Sequence, residues 1–233
     1  MDESFLPFPR GQTASGINAG NPSPSSSFFN KDNEGLIDAL RGESERAQVL
    51  IAAEFLNKAL RGCFCAKFKL EGIDDELIND VLGGEESGGD KNALGAFGHR
   101  ISVSRALGFI DNESFLALRG VKDIRNAFAH KDFKIALTSD NEKVRRGMNK
   151  LREWLGKEEN KSVYSDPQTG KTTPTWRVYL ANEGYIINDP VSERHIFLGA
   201  TIMLYILLIN AKWEIRKEEF SEAIILSTRP HGT

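Results

Sequence analysis

The sequence predicts an all-α protein: a helical bundle carrying one small β-hairpin-like insertion. Three observations point there. Apolar residues recur at three- and four-residue spacing through most of residues 43–155, which is the period of a helix with one buried face. A nearly uninterrupted apolar run, Ile196 to Ile209, stands near the C-terminal end. The one stretch of strand-like composition, 160–188, is short and contains the turn sequence Asp166-Pro167-Gln168-Thr169-Gly170.

Taken in order, residues 1–33 are rich in Ser, Pro, Gly and Asn and bury too little apolar surface to offset their ordering entropy, so a disordered tail is expected. A helix is expected over Glu43–Phe68, where Val49, Ala53, Leu56, Leu60 and Phe64 form a core-facing stripe. A shorter one should cover Asp74–Leu82 and stop at Gly83-Gly84. Leu94, Phe97 and Ile101 begin another, which Gly108 is suited to end. Asp111 is the expected N-cap of the next, with Phe115, Leu118, Val121, Ile124 and Phe128 on its apolar face. Ser139-Asp140-Asn141-Glu142 reads as a capping box opening a helix through Leu155. Within the insertion, Tyr164 and Trp176–Leu180 are the strand-like runs, and the last helix is expected over Ser192–Lys217. The domain plan is therefore a tail (1–33), a single helical domain (34–217) and a C-terminal tail (218–233).

Composition narrows the function classes. Of 233 residues, 40% are hydrophobic and 27% charged, enough for a sizeable core, and the formal net charge of −3 argues against coating nucleic acid by bulk electrostatics. Ile196–Ile209 would span roughly 21 Å as a helix, short of a hydrocarbon core of about 30 Å, so a buried helix is expected and no membrane span. The N-terminus lacks a basic region followed by an apolar one, so no signal peptide is expected. Cys63 and Cys65, two apart, point in roughly opposite directions on a helix and are badly placed to share a metal or a disulfide. No metal and no cofactor are expected, and the cysteine usage fits a reducing compartment, hence a cytoplasmic protein. Ser165–Thr172 comes within one residue of a P-loop but has Ser where the first glycine is needed, Pro167 within the loop and Thr-Thr-Pro after the lysine.

The chemically suggestive segment is Arg125-Asn126-Ala127-Phe128-Ala129-His130. A guanidinium can hold a phosphate through two parallel hydrogen bonds, and an imidazole titrates near neutrality and can move a proton. Together they could assist attack of an RNA 2′-hydroxyl on its own phosphate without a metal. On an unbroken helix Arg125 and His130 lie about 140° apart, so either the helix bends near Phe128 or two copies face each other. A structural alternative has Arg125 paired with a carboxylate such as Glu54. The segment lies in a basic island: residues 119–152 hold ten Lys and Arg against four Asp and Glu, in an otherwise acidic chain.

The run Ala47–Leu60 resembles the first core helix of the mannitol operon repressor family. So do Leu94-Gly95-Ala96-Phe97-Gly98-His99-Arg100-Ile101, Ala106–Ile110 and Ile124–His130, in the same order, over about residues 44 to 131. The resemblance implies an all-helical regulator of sugar-alcohol operons without a DNA-reading helix pair; such a repressor would act through a protein partner or through a basic surface. Arg125, Asn126 and His130 also match the Arg-polar-x3-His motif of ribonucleases in the HEPN superfamily (higher eukaryote and prokaryote nucleotide-binding domains). That likeness implies phosphate binding by Arg125, proton transfer by His130 and local positioning by Asn126. The expectation is a mannitol-repressor-like, HEPN-like regulatory protein, a homodimer with a protein partner. The alternative is a metal-independent endoribonuclease contacting RNA through the 119–152 region.

Overall fold

The structure is a computed structural model that describes residues 31–83, 92–129, 135–159, 163–165, 170, 172–188 and 190–228. Within these the chain is an all-α bundle with one small hairpin, as expected. The helices are α1 (Lys31–Leu40), α2 (Glu45–Leu70), α3 (Asp75–Leu82), α4 (Phe97–Ala106), α5 (Asn112–Ala129), α6 (Glu142–Glu159), α7 (Thr175–Asn182) and α8 (Glu193–Thr228), with strands β1 (Val163–Ser165) and β2 (Thr172–Pro174) between α6 and α7.

Local chemistry sets the ends. Ser44 accepts a hydrogen bond from the Ala47 amide at 3.2 Å and starts α2. Asp74 does the same for α3 from Leu77, and Asp111 for α5 from Ser114 at 2.7 Å. Gly108, at φ 76°, ends α4: its own amide and that of Phe109 turn back to the carbonyls of Arg105 and Ser104, a left-handed cap that a residue with a Cβ would strain. Two expected starts move. Leu94 lies in a turn and α4 begins at Phe97. The N-cap of α6 is Asn141, whose Oδ1 accepts from the amides of Lys143 and Val144, rather than Ser139, whose Oγ has no hydrogen-bond partner among the described residues. Asn competes as well as Ser for that position, and it stands next to the first helical residue.

Trp176–Leu180 is not a strand. It lies in α7, because Trp176, Tyr179 and Leu180 are buried at i, i+3 and i+4, a period of a helix and not of a sheet. The hairpin pairs Val163 with Pro174 and Ser165 with Thr172, antiparallel, ahead of that helix. Two further differences concern the ends of the domain. α1 falls where no helix was singled out, and it buries Leu36, Ile37 and Leu40. α8 passes Lys217 and continues to Thr228, into the segment expected as a tail. The remaining expected tail, residues 1–30 and 229–233, lies outside the described residues.

The core sits between α2, α5, α6 and α8. Leu56, Leu60, Leu118, Ile124, Phe128 and Leu204 are fully buried in it. α5 and α6 approach at two glycines: a Cβ on Gly120 would lie 2.9 Å from the Gly147 carbonyl oxygen, and one on Gly147 2.7 Å from that of Gly120. Glycine at both positions is what lets the helices pack backbone to backbone. α8 is long and apolar enough by length and composition to cross a membrane, but most of that stretch is buried within the fold, where α2, α6 and α7 pack against it.

Candidate functional site

The last turns of α5 carry the motif. Ile124, Ala127 and Phe128 point inward and are buried, which fixes the rotation of the helix and turns Arg125 outward. Arg125 is exposed and Asn126 half-buried; Nη1 of Arg125 donates to Oδ1 of Asn126 at 3.2 Å. The expected pairing with Glu54 does not form. Glu54 is exposed on α2, and Arg125 has no carboxylate partner among the described residues. α5 remains helical through Ala129, so the described part of the motif has no break at Phe128. His130 lies outside the described residues, and so does its distance from Arg125.

The basic island divides into two unlike surfaces. Along the seam of α5 and α6, cations are neutralised. Asp123 of α5 meets Lys150 at 3.2 Å and Arg146 at 3.6 Å, and beyond the island Lys157 meets Glu113 at 3.1 Å; between α6 and α8, Arg152 pairs with Glu193. Glu113 holds the Lys157 ammonium above its ordinary pKa, by hydrogen bond and charge together. Arg119, Lys122 and Arg125, on the other flank of α5, have no carboxylate partner among the described residues; Arg119 instead lies over the Phe115 ring at 5.7 Å. α4 next to them has no Asp or Glu in its sequence.

A residue that the sequence did not single out is Arg100, one position past His99 in α4 and buried at 5% exposure. Its Nε donates to the Leu94 carbonyl at 2.7 Å, Nη1 to Asn57 Oδ1 at 2.6 Å and Nη2 to the Leu82 carbonyl at 2.6 Å. Burial, and next the like charge of Arg61, lower its pKa. An arginine has no basic atom to offer, so the group stays a cation and acts as a clamp. Gln48 was missed as well. It interrupts an apolar helix face, the available signal, and donates to the Leu40 carbonyl while accepting from Arg194 Nε at 2.8 Å.

The cysteines diverge as their spacing required. Cys63 is buried with Sγ against the Leu208 carbonyl at 3.3 Å, and desolvation pushes its pKa to about 12; Cys65 is half-buried and accepts from Arg61. Among the described residues no group of three or more His, Cys, Asp or Glu could hold a metal ion.

A scan against protein-family models finds no match. Searches of curated proteins and of solved structures likewise find no similar chain.

Proposed function

We propose that the protein is a regulator of the mannitol operon repressor type, a cytoplasmic homodimer acting in transcriptional control through a protein partner. One observation carries the proposal: the sequence blocks that resemble the family are joined by the buried Arg100 guanidinium. It lies in the second block and bonds Asn57 of the first and the Leu94 carbonyl of its own. Ile110 and Ile124, from the later blocks, are buried in the same core as Leu56 of the first. Blocks that close on one another in this way form one structural unit, which supports the reading. The test is genetic. Deleting the gene should raise transcripts of a sugar-alcohol operon in cells grown without that sugar alcohol, and restoring it should lower them. Unchanged transcripts would overturn the proposal.

A second reading, a metal-independent endoribonuclease using Arg125, Asn126 and His130, is favoured by the exposed Arg125. Its guanidinium is free of any carboxylate partner among the described residues and is held by Asn126, the state in which it would be available to a phosphate. Incubating the purified protein with mixed RNA in EDTA tests it. Cleavage should appear, vanish in His130→Ala and fall severely in Arg125→Lys, with melting temperatures unchanged. Absence of cleavage by the wild type, or cleavage that survives in folded His130→Ala, would exclude it.

A further inference from the structure

The α4–α5 hairpin presents a row of cations unlike the paired ones of the α5–α6 seam; Lys143 and Arg145 on α6 are also without a carboxylate partner among the described residues, but no exposed leucine stands beside them. The two helices are antiparallel neighbours joined by a short turn, and Gly98 of α4 lies beneath Lys122 of α5: a Cβ there would meet Lys122 Cε and Nζ at 3.0 Å. From that rung the helices run past Ser102 and Arg119 to Arg105 and Phe115. Arg105, Arg119, Lys122 and Arg125 line this face over about 15 Å of helix, and among the described residues none of them has a carboxylate partner. α4 contributes no acidic residue, and Asp123 and Glu113 face α6, where they are engaged. At the hairpin end of the row, Leu107 is 51% exposed and Leu116 43% exposed.

We propose that this face docks an acidic segment of a partner protein that also carries apolar side chains. Its carboxylates would meet Arg105, Arg119, Lys122 and Arg125, and its apolar residues would cover Leu107 and Leu116. The inference rests on the regulatory reading above and gives that reading a partner chemistry and a place. Charge complementarity names the sign of the partner, and arginine is the cation most used to anchor protein interfaces. The apolar component decides between polyanions. A single-stranded nucleic acid is held by phosphate contacts together with planar groups on which its bases stack, and leucines add nothing to either. The exposed apolar residues here are leucines, and the Phe115 ring already lies under the Arg119 guanidinium.

The test uses the full-length protein and a fluorescein-labelled, helix-forming 20-residue peptide of Glu, Ala and Leu, with two comparison probes: the same peptide with every Leu replaced by Ser, and a 20-nucleotide oligo(U) RNA. Anisotropy should show binding of the Leu-containing peptide, several-fold weaker binding of the Ser version and weaker binding still of the RNA. Arg119→Glu with Lys122→Glu should weaken the peptide at least tenfold, and Leu116→Ser should weaken it several-fold. Lys143→Glu with Arg145→Glu, on α6, should change it less than twofold. Thermal melts confirm folding, and Arg125→Glu with Lys122→Glu replaces the first pair should that pair fail to fold. No peptide binding, equal loss from the α6 reversals, or tighter binding of oligo(U) through the same residues would overturn the proposal. Failure here with operon transcripts still responding to gene deletion would remove the docking face and leave the regulatory reading; transcripts that do not respond would remove that reading whatever the peptide does.

Discussion

A methyl group added at Gly147 would lie 2.6 Å from Ile124 Cγ1 as well as against the Gly120 carbonyl, and neither neighbour has room to retreat inside a packed core. The gain in helix propensity from Gly to Ala, about 1 kcal/mol, is therefore outweighed by overpacking. Gly147→Ala should lower unfolding free energy by about 1–3 kcal/mol in urea titrations. Gly156→Ala, on the same helix with nothing within 4 Å of the added carbon, should raise it by roughly 0.5–1 kcal/mol. A loss at both positions would remove the steric account. Cys63 gives a pH test. Its thiol keeps its proton to about pH 12 in the folded state, against 9.0 for a free thiol. Above pH 9 the unfolded chain sheds that proton and the folded one does not. Stability should then fall with rising pH, by up to about 1.4 kcal/mol per unit from this group. Cys63→Ala should flatten that part of the pH profile relative to wild type, and at pH 8 Ellman's reagent should leave Cys63 unlabelled until denaturant is added. Neither Gly147 nor Cys63 could be understood from its own letter. A helical glycine reads as a weak point until its neighbour is known to be another backbone.

At the scale of elements, periodicity placed most helices correctly, because a buried face writes itself every three or four residues. α2 and α3 came within two residues of their expected ends, and α5 starts directly after its expected N-cap, Asp111. α7 defeated the same logic. Its Thr, Trp, Val and Tyr have strand propensity, and its helical burial is set by α8 alongside, where a Cβ on Gly199 would be 2.5 Å from the Trp176 ring. α8 is the element on which the bundle closes. Leu204 is fully buried at its centre, so Leu204→Lys should leave an unpaired buried charge, costing roughly 3–5 kcal/mol. Unfolding or aggregation in a solubility assay is the expected outcome. A folded variant partitioning into membranes would instead make α8 a spanning helix.

For the whole molecule, α1 shows how far the domain extends toward its N-terminal side. Leu36, Ile37 and Leu40 are each at most 2% exposed, and α1 packs on α2 and α8. At roughly 1.5–3 kcal/mol per buried aliphatic side chain, deleting the chain through Leu40 should lower the melting temperature by on the order of 10 °C. A deletion ending before Lys31 should leave it nearly unchanged, on the composition of that segment. The all-α class and most of the core stripe were legible because they depend on local period. The site was legible only in part. The residues of the basic island could be counted, but which of its cations are spent on Asp123 and Glu193 depends on helices that meet only after folding. Arg100 was hidden for the same reason, since its three acceptors come from α2, the end of α3 and the turn before α4.

That clamp makes the stretch between α3 and α4 a handle. The Leu94 amide bonds to the Val81 carbonyl at 2.9 Å, and Arg100 holds the carbonyls of both Leu82 and Leu94. The two ends of the connection are thus pinned to the body whatever runs between them. For a connection closed in this way, each doubling of length costs only about 0.6 kcal/mol in closure entropy. A fluorescent or affinity module spliced in after Gly84 should therefore leave the melting temperature within a few degrees.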